Sequence, residues 1–129
     1  MTKMTTPYST TSVVHHLKEA YLIWLRIVPH MPKGARYTIG ARIENTFLDL
    51  LEKTYASYFT EKEAKYKKVT GCVILLDSLK FLLSIAWEAK LLSHKQYEEI
   101  AFKLNDVGKM LGGWRKNIEL SQNKNRTNK

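Results

Sequence analysis

The feature that most constrains this chain is an apolar repeat near its end, formed by Tyr97, Ile100, Leu104, Val107, Leu111, Trp114 and Ile118. Steps of three and four place all of these residues on one face of an α-helix. A strand would scatter them over both faces, because its side chains alternate. The same spacing recurs upstream in Val14, Leu17, Tyr21, Trp24 and Val28, and then in Ile39, Ile43, Phe47, Leu50 and Leu51. A further series holds Val69, Cys72, Leu76, Leu79, Leu83 and Ala86. Only three prolines and six glycines interrupt 129 residues, and no strand-like alternation of any length occurs. Four amphipathic helices with short connections predict an all-α protein, an antiparallel up-down-up-down four-helix bundle.

Local signals set the expected boundaries. The first helix starts at Val14 and closes at "VPHMP", through Pro29 and Pro32. The second takes Pro32 into its first turn, where a missing N–H costs nothing, and runs to about Tyr58. "TEKE" at 60–63 and "SHKQ" at 93–96 read as capping boxes that open the third and fourth helices. Residues 1–12 are expected to be disordered, 13–120 to form one bundle domain, and 121–129 to be a flexible basic tail.

There are more apolar faces than a lone bundle needs. At 100° per residue, Ile74, Phe81 and Ile85 fall nearly opposite the Leu76/Leu83 stripe. Phe102 lies similarly across its helix from Leu104 and Leu111, and Leu22 and Ile23 lie off the main stripe of the first helix. An exposed second stripe is a sticky patch. Self-association would bury it, so Ile74, Phe81, Ile85 and Phe102 are the candidate contacts of a homo-oligomer. Gly112 and Gly113 each cost a helix interior about 1 kcal/mol relative to alanine. Close approach by another backbone would offset that cost; a frayed final turn is the other reading.

Charge carries the functional signal. Lysine and arginine number 21 against 12 acids, a formal +9 with a pI near 9.7. Residues 1–42 and 93–129 are both strongly basic, whereas 43–92 balance to zero. Such an excess points to a polyanion, most often nucleic acid. Lys33 and Arg36 stand at the expected start of the second helix, where the helix dipole adds positive potential. Arg42 follows in the same stretch. On the fourth helix Lys95, Lys109 and Lys116 share the face opposite the core, with Arg115 nearby. Lys62, Lys65, Lys67 and Lys68 stand beside Glu61 and Glu63 and read as a solvated face. Arg36 and Glu44 also admit a structural role, as a cap or salt bridge near a bundle end. Neither a recognition helix nor an aromatic base-stacking platform is evident.

Nothing suggests catalysis. His15, His16, His30 and His94 are scattered, and none is expected to be oriented by an acid as a general base. With Cys72 as the only cysteine, no disulfide, metal site or cofactor is expected. Cys72 itself falls on the apolar stripe and reads as a small buried hydrophobe. No uninterrupted 18-residue apolar run and no signal-peptide stretch occur, so a cytoplasmic protein without a membrane partner is expected.

The stretch "MPKGARYTIGARIENT", at Pro32, Lys33, Arg36, Tyr37, Thr38, Gly40, Arg42, Ile43 and Glu44, resembles the accessory variability determinant (Avd) family of diversity-generating retroelements. "LLSHKQYEEI" and "VGKMLGGWRKN" are similar to later motifs of that family, at Ser93, Gln96, Tyr97, Gly108, Met110, Leu111, Gly112, Gly113 and Trp114. The likeness covers roughly residues 14–118. It implies a four-helix bundle assembled as a basic homopentamer that binds RNA and DNA with little sequence preference. It also implies a non-catalytic partner of a reverse transcriptase, required for mutagenic copying of template-repeat RNA and for retrohoming. The related four-helix proteins encoded in 23S ribosomal RNA intervening sequences share the Arg-Ile-Glu region. They offer an alternative in which RNA is bound without a polymerase partner.

Overall fold

A computed structural model describes residues 8–127 of the chain. Its elements are α1 (Tyr8–Ile27), a 3-10 turn (Val28–His30), α2 (Lys33–Arg36), α3 (Ile39–Ser57), α4 (Lys62–Glu88) and α5 (His94–Thr127). No strand occurs among the described residues. Short connections make the four long helices α1, α3, α4 and α5 antiparallel to their successors. Helix α5 packs back on α1 and closes the bundle, while α1 and α3 meet less extensively. This is the expected all-α architecture.

The apolar stripes point inward. Ile100, Leu104, Val107 and Leu111 of α5 are fully buried against Leu76, Leu79 and Leu83 of α4, Leu17 and Trp24 of α1, and Ile43, Phe47 and Leu50 of α3. Burying each such side chain contributes about 1.5–3 kcal/mol relative to exposing it. Cys72 is buried with its Sγ 3.6 Å from Ser57 Oγ, the environment of a small core hydrophobe. Leu22 is exposed as expected, but Ile23 joins the core.

Several boundaries differ from expectation. Helix α1 begins at Tyr8, so residues 8–12 of the segment expected to be disordered are helical, and residues 1–7 lie outside the described residues. The tail expected from residue 121 continues α5 to Thr127. Gly112 and Gly113 are therefore not in a frayed final turn, and within the chain a Cβ at either would meet nothing within 4 Å. The "SHKQ" box forms reciprocally: Gln96 N–H donates to Ser93 Oγ at 3.0 Å, and Ser93 N–H donates to Gln96 Oε1 at 2.8 Å. The "TEKE" box does not. Thr60 Oγ1 instead donates to the Ala56 carbonyl at 3.0 Å, and α4 starts from Glu61 without a side-chain cap. A hydroxyl three residues past the end of a helix can still reach the free carbonyls of its last turn, and here it bonds there rather than to the N–H groups ahead.

The second helix is also not continuous. Lys33–Arg36 form a single turn, and α3 restarts at Ile39 after Tyr37 and Thr38. At the far end of α4 a Schellman closure forms, with Lys90 N–H bonding Trp87 O and Leu91 N–H bonding Ala86 O, both at 2.9 Å. Lys90 occupies the left-handed position, φ 63°, that glycine usually fills.

Helix α4 carries an apolar surplus. An 18-residue window has a mean hydropathy of 1.9, and by length and composition alone it could cross a membrane. Asp77 and Lys80 interrupt the apolar run. Only 33% of that window is buried in the bundle. A helix serving only as core would be mostly covered; this one is apolar on two faces.

Candidate nucleic-acid interface

The Pro29–Glu44 corner turns its polar groups inward. Arg36 donates through Nη2 to Pro29 O at 2.8 Å and through Nε to Met31 O at 3.0 Å, so its guanidinium ties the 3-10 turn to α2. Those two carbonyls belong to the connection left open where the helix breaks. Gly40 explains how α2 folds against α3, since a Cβ there would stand 2.9 Å from the Ala35 carbonyl oxygen. Glu44 faces α1, where it accepts from Trp24 Nε1 at 2.9 Å and from Tyr21 Oη at 3.3 Å. Burial first, and then the neighbouring Glu44 carboxylate, push the Tyr21 phenol above its ordinary value. Lys33 and Arg42 remain exposed on this corner. Because α2 is one turn long, it lacks the aligned peptide dipoles that would concentrate phosphate at Lys33.

The outer face of α5 is arranged differently. Lys95, Lys109 and Lys116 are exposed on the face opposite the buried stripe, and Arg115 beside them is half-buried. Among the described residues, none of these four, nor Lys33 or Arg42, forms an ion pair. Lys103 does: it bonds Glu19 of α1 at 3.0 Å, and that hydrogen bond holds the Glu19 carboxyl below its ordinary value. Lys95 and Lys116 stand 21 positions apart, about 31 Å along the helix axis. The seven predicted basic residues thus form a corner pair and a long stripe, with Arg36 turned to structural use between them.

Ile74, Phe81 and Ile85 are exposed on one face of α4, as their spacing predicts. Phe102 is exposed too, but not beside them. It sits at the register 95–102–109–116, in the middle of the lysine stripe and above a groove shared with Ile23 and Gln96. Two of the four histidines also depart from expectation. His15 approaches Glu19 at 3.6 Å and His94 approaches Glu98 at 3.5 Å, each one helical turn apart. All four side chains are open to solvent, so neither pair shapes a site. No metal-binding group of three ligands occurs among the described residues.

An aromatic cluster was missed. At the end of the bundle where α3 meets α4, Tyr55 and Phe59 pack edge to face at 5.2 Å, and Tyr58 lies 6.1 Å from Phe59 and 5.5 Å from Trp114 of α5. The readable signal was composition: Tyr55, Tyr58, Phe59 and Tyr66 alternate with Lys53, Lys62, Lys65, Lys67 and Lys68. Read only as a solvated charge run, that stretch hid its rings.

The family model described as bAvd-like matches residues 13–118. No curated protein and no solved structure matches the chain significantly. The match covers α3 and α4 entirely, most of α1 and α5, the corner at Pro29–Glu44 and the lysine stripe. This chain belongs to the bAvd-like family.

Proposed function

We propose that this protein is a non-enzymatic, nucleic-acid-binding accessory subunit of a reverse transcriptase in a diversity-generating retroelement, acting as a homopentamer. The observation that carries the reading is the α5 stripe, in which Lys95, Lys109 and Lys116 are exposed and without carboxylate partners among the described residues. An unpaired lysine can take a phosphate without first giving up a carboxylate, and the phosphate releases counterions when it binds. The resemblance to the Avd family implies the template-repeat RNA and the polymerase partner. The exposed Ile74, Phe81 and Ile85 of α4 supply a face for subunit contact.

Binding that rests on phosphate neutralisation is insensitive to sequence and sensitive to salt. Unrelated duplexes of equal length, and RNA–DNA hybrids, are expected to bind alike. Affinity falls by about 10³ or more between roughly 50 and 200 mM salt. Replacing Lys95, Lys109 and Lys116 together by glutamine lowers the slope of log affinity against log salt by about 2.7 for each stripe in contact. A slope unchanged in that variant, or strong preference for one sequence, overturns the reading. Light scattering checks the assembly, with about 75 kDa expected for five 15.0 kDa chains.

A further inference from the structure

We infer that the Tyr55–Phe59 pair at the α3–α4 end of the bundle is a stacking surface for unpaired bases of single-stranded nucleic acid. This rests on the proposed nucleic-acid function and adds to it a site and a strand type.

Phe59 is 67% exposed and Tyr55 49%, yet the two rings hold each other at 5.2 Å. Tyr58 backs Phe59 at 6.1 Å and is anchored on Trp114 at 5.5 Å. The exposed rings are therefore buttressed by a chain of aromatic contacts reaching from α3 to α5. A pre-oriented ring meets an unpaired base without further loss of side-chain freedom.

Charge decides what covers this surface. Residues 53–68 carry five lysines and two glutamates, although the surrounding region 43–92 is neutral overall. Lys65 donates from Nζ to the Tyr58 carbonyl at 3.3 Å, which ties one ammonium group to the backbone of the aromatic segment. Lys62, Lys67 and Lys68 are exposed and form no ion pair among the described residues. The nearby Glu119 accepts a hydrogen bond from Tyr66 at 3.1 Å. An apolar protein surface laid on Phe59 would have to desolvate these ammonium groups, which is costly. A nucleic-acid strand presents both needed chemistries, a flat base for the rings and phosphates for the lysines. A duplex cannot use the rings, because its bases are already stacked. Base face and phosphate are common to RNA and DNA, so both single strands should bind.

The test compares strand types on the full-length protein. An oligo(dT) and an oligo(U) of roughly 16 nucleotides are titrated beside a duplex of equal length at fixed salt. The Phe59→Leu variant keeps apolar bulk and removes the π face. Its affinity for both single strands is expected to fall about tenfold, with duplex affinity changed less than about twofold. The Phe59→Trp variant restores single-strand binding. Equal loss on single strand and duplex, or no loss on either, overturns the inference. A fall in scattering mass for Phe59→Leu also overturns it, by making the pair a subunit contact. If the unmodified protein binds duplex with a steep salt slope while Phe59→Leu leaves oligo(dT) binding intact, only this inference fails. If it binds no nucleic acid at all, the proposed function fails with it.

Discussion

The Pro29–Glu44 corner and the outer face of α5 are both basic in sequence, but the corner commits Arg36 to its own backbone while leaving Lys33 and Arg42 exposed, whereas the α5 stripe commits none of its three lysines. At the corner, Arg36 closes on two backbone carbonyls, Gly40 admits the Ala35 carbonyl, and Glu44 accepts from Trp24 and Tyr21. Along α5, Lys95, Lys109 and Lys116 face solvent and form no ion pair among the described residues, although Glu98 and Glu99 line the same groove as Lys95. The corner is dense in motif residues and spends most of them on its own geometry. The stripe is plain in sequence and keeps its charge free. Motif density therefore marks where the backbone needed solving, and unpaired charge marks where a ligand can act.

The corner is the place to break that comparison. Gly40→Leu is expected to cost about 3 kcal/mol, because its Cβ would meet a backbone carbonyl that cannot rotate away. Urea unfolding measures it, and a change within about 0.5 kcal/mol would show that α2 moves freely over α3. Glu44→Ala leaves the fully buried Trp24 with an indole N–H lacking its acceptor and should cost about 2 kcal/mol. Glu44→Gln keeps an oxygen there and should recover most of that loss. Arg36→Ala should cost about 1 kcal/mol, since it leaves two carbonyls to water. Arg36→Lys should recover less than half, because a single ammonium cannot reproduce the guanidinium fork. If Arg36→Ala instead leaves stability intact and lowers the salt slope of nucleic-acid binding, Arg36 serves phosphate and the contrast between the regions collapses.

The smallest effect sharpens the comparison within α5 itself. Lys103 is paired with Glu19, unlike the stripe lysines. Because the Glu19 carboxyl is held below its ordinary value, the tie stabilises the fold above the unfolded carboxylate range and is lost as pH falls through the folded value. The difference in Tm between the unmodified chain and Glu19→Gln should be small at pH 7 and vanish at about pH 2. Lys109→Gln should show no such pH-dependent difference over that range.

Helix positions were legible because burial follows a period that any reader of the chain can count. The buried Ile100, Leu104, Val107 and Leu111 are the repeat itself, and the exposed Ile74, Phe81 and Ile85 follow from the same arithmetic. The "SHKQ" cap was legible for a related reason, since its donors and acceptors lie within four residues of one another. The break at Tyr37–Thr38 was not, because its local bonds from Thr38 to Gly34 and Ala35 are ones a continuous helix could also make. "TEKE" had the right letters, but Thr60 found Ala56 behind it first.

The candidate sites divide along the same line. The stripe of Lys95, Lys109 and Lys116 could be placed on one outer face by counting alone, and so could Phe102, which that count also sets among the lysines. What needed the fold was knowing which charges are spent: Glu19 on Lys103, Arg36 on Pro29 and Met31, Glu44 on Trp24. The aromatic chain from Tyr55 to Trp114 likewise joins residues of α3 to a partner on α5. Sequence by itself determined the four helices, their inward faces and the excess of positive charge, because those depend on local spacing and composition. Only the tertiary structure decided which basic and aromatic side chains remain available, because availability depends on partners brought near by packing from distant parts of the chain.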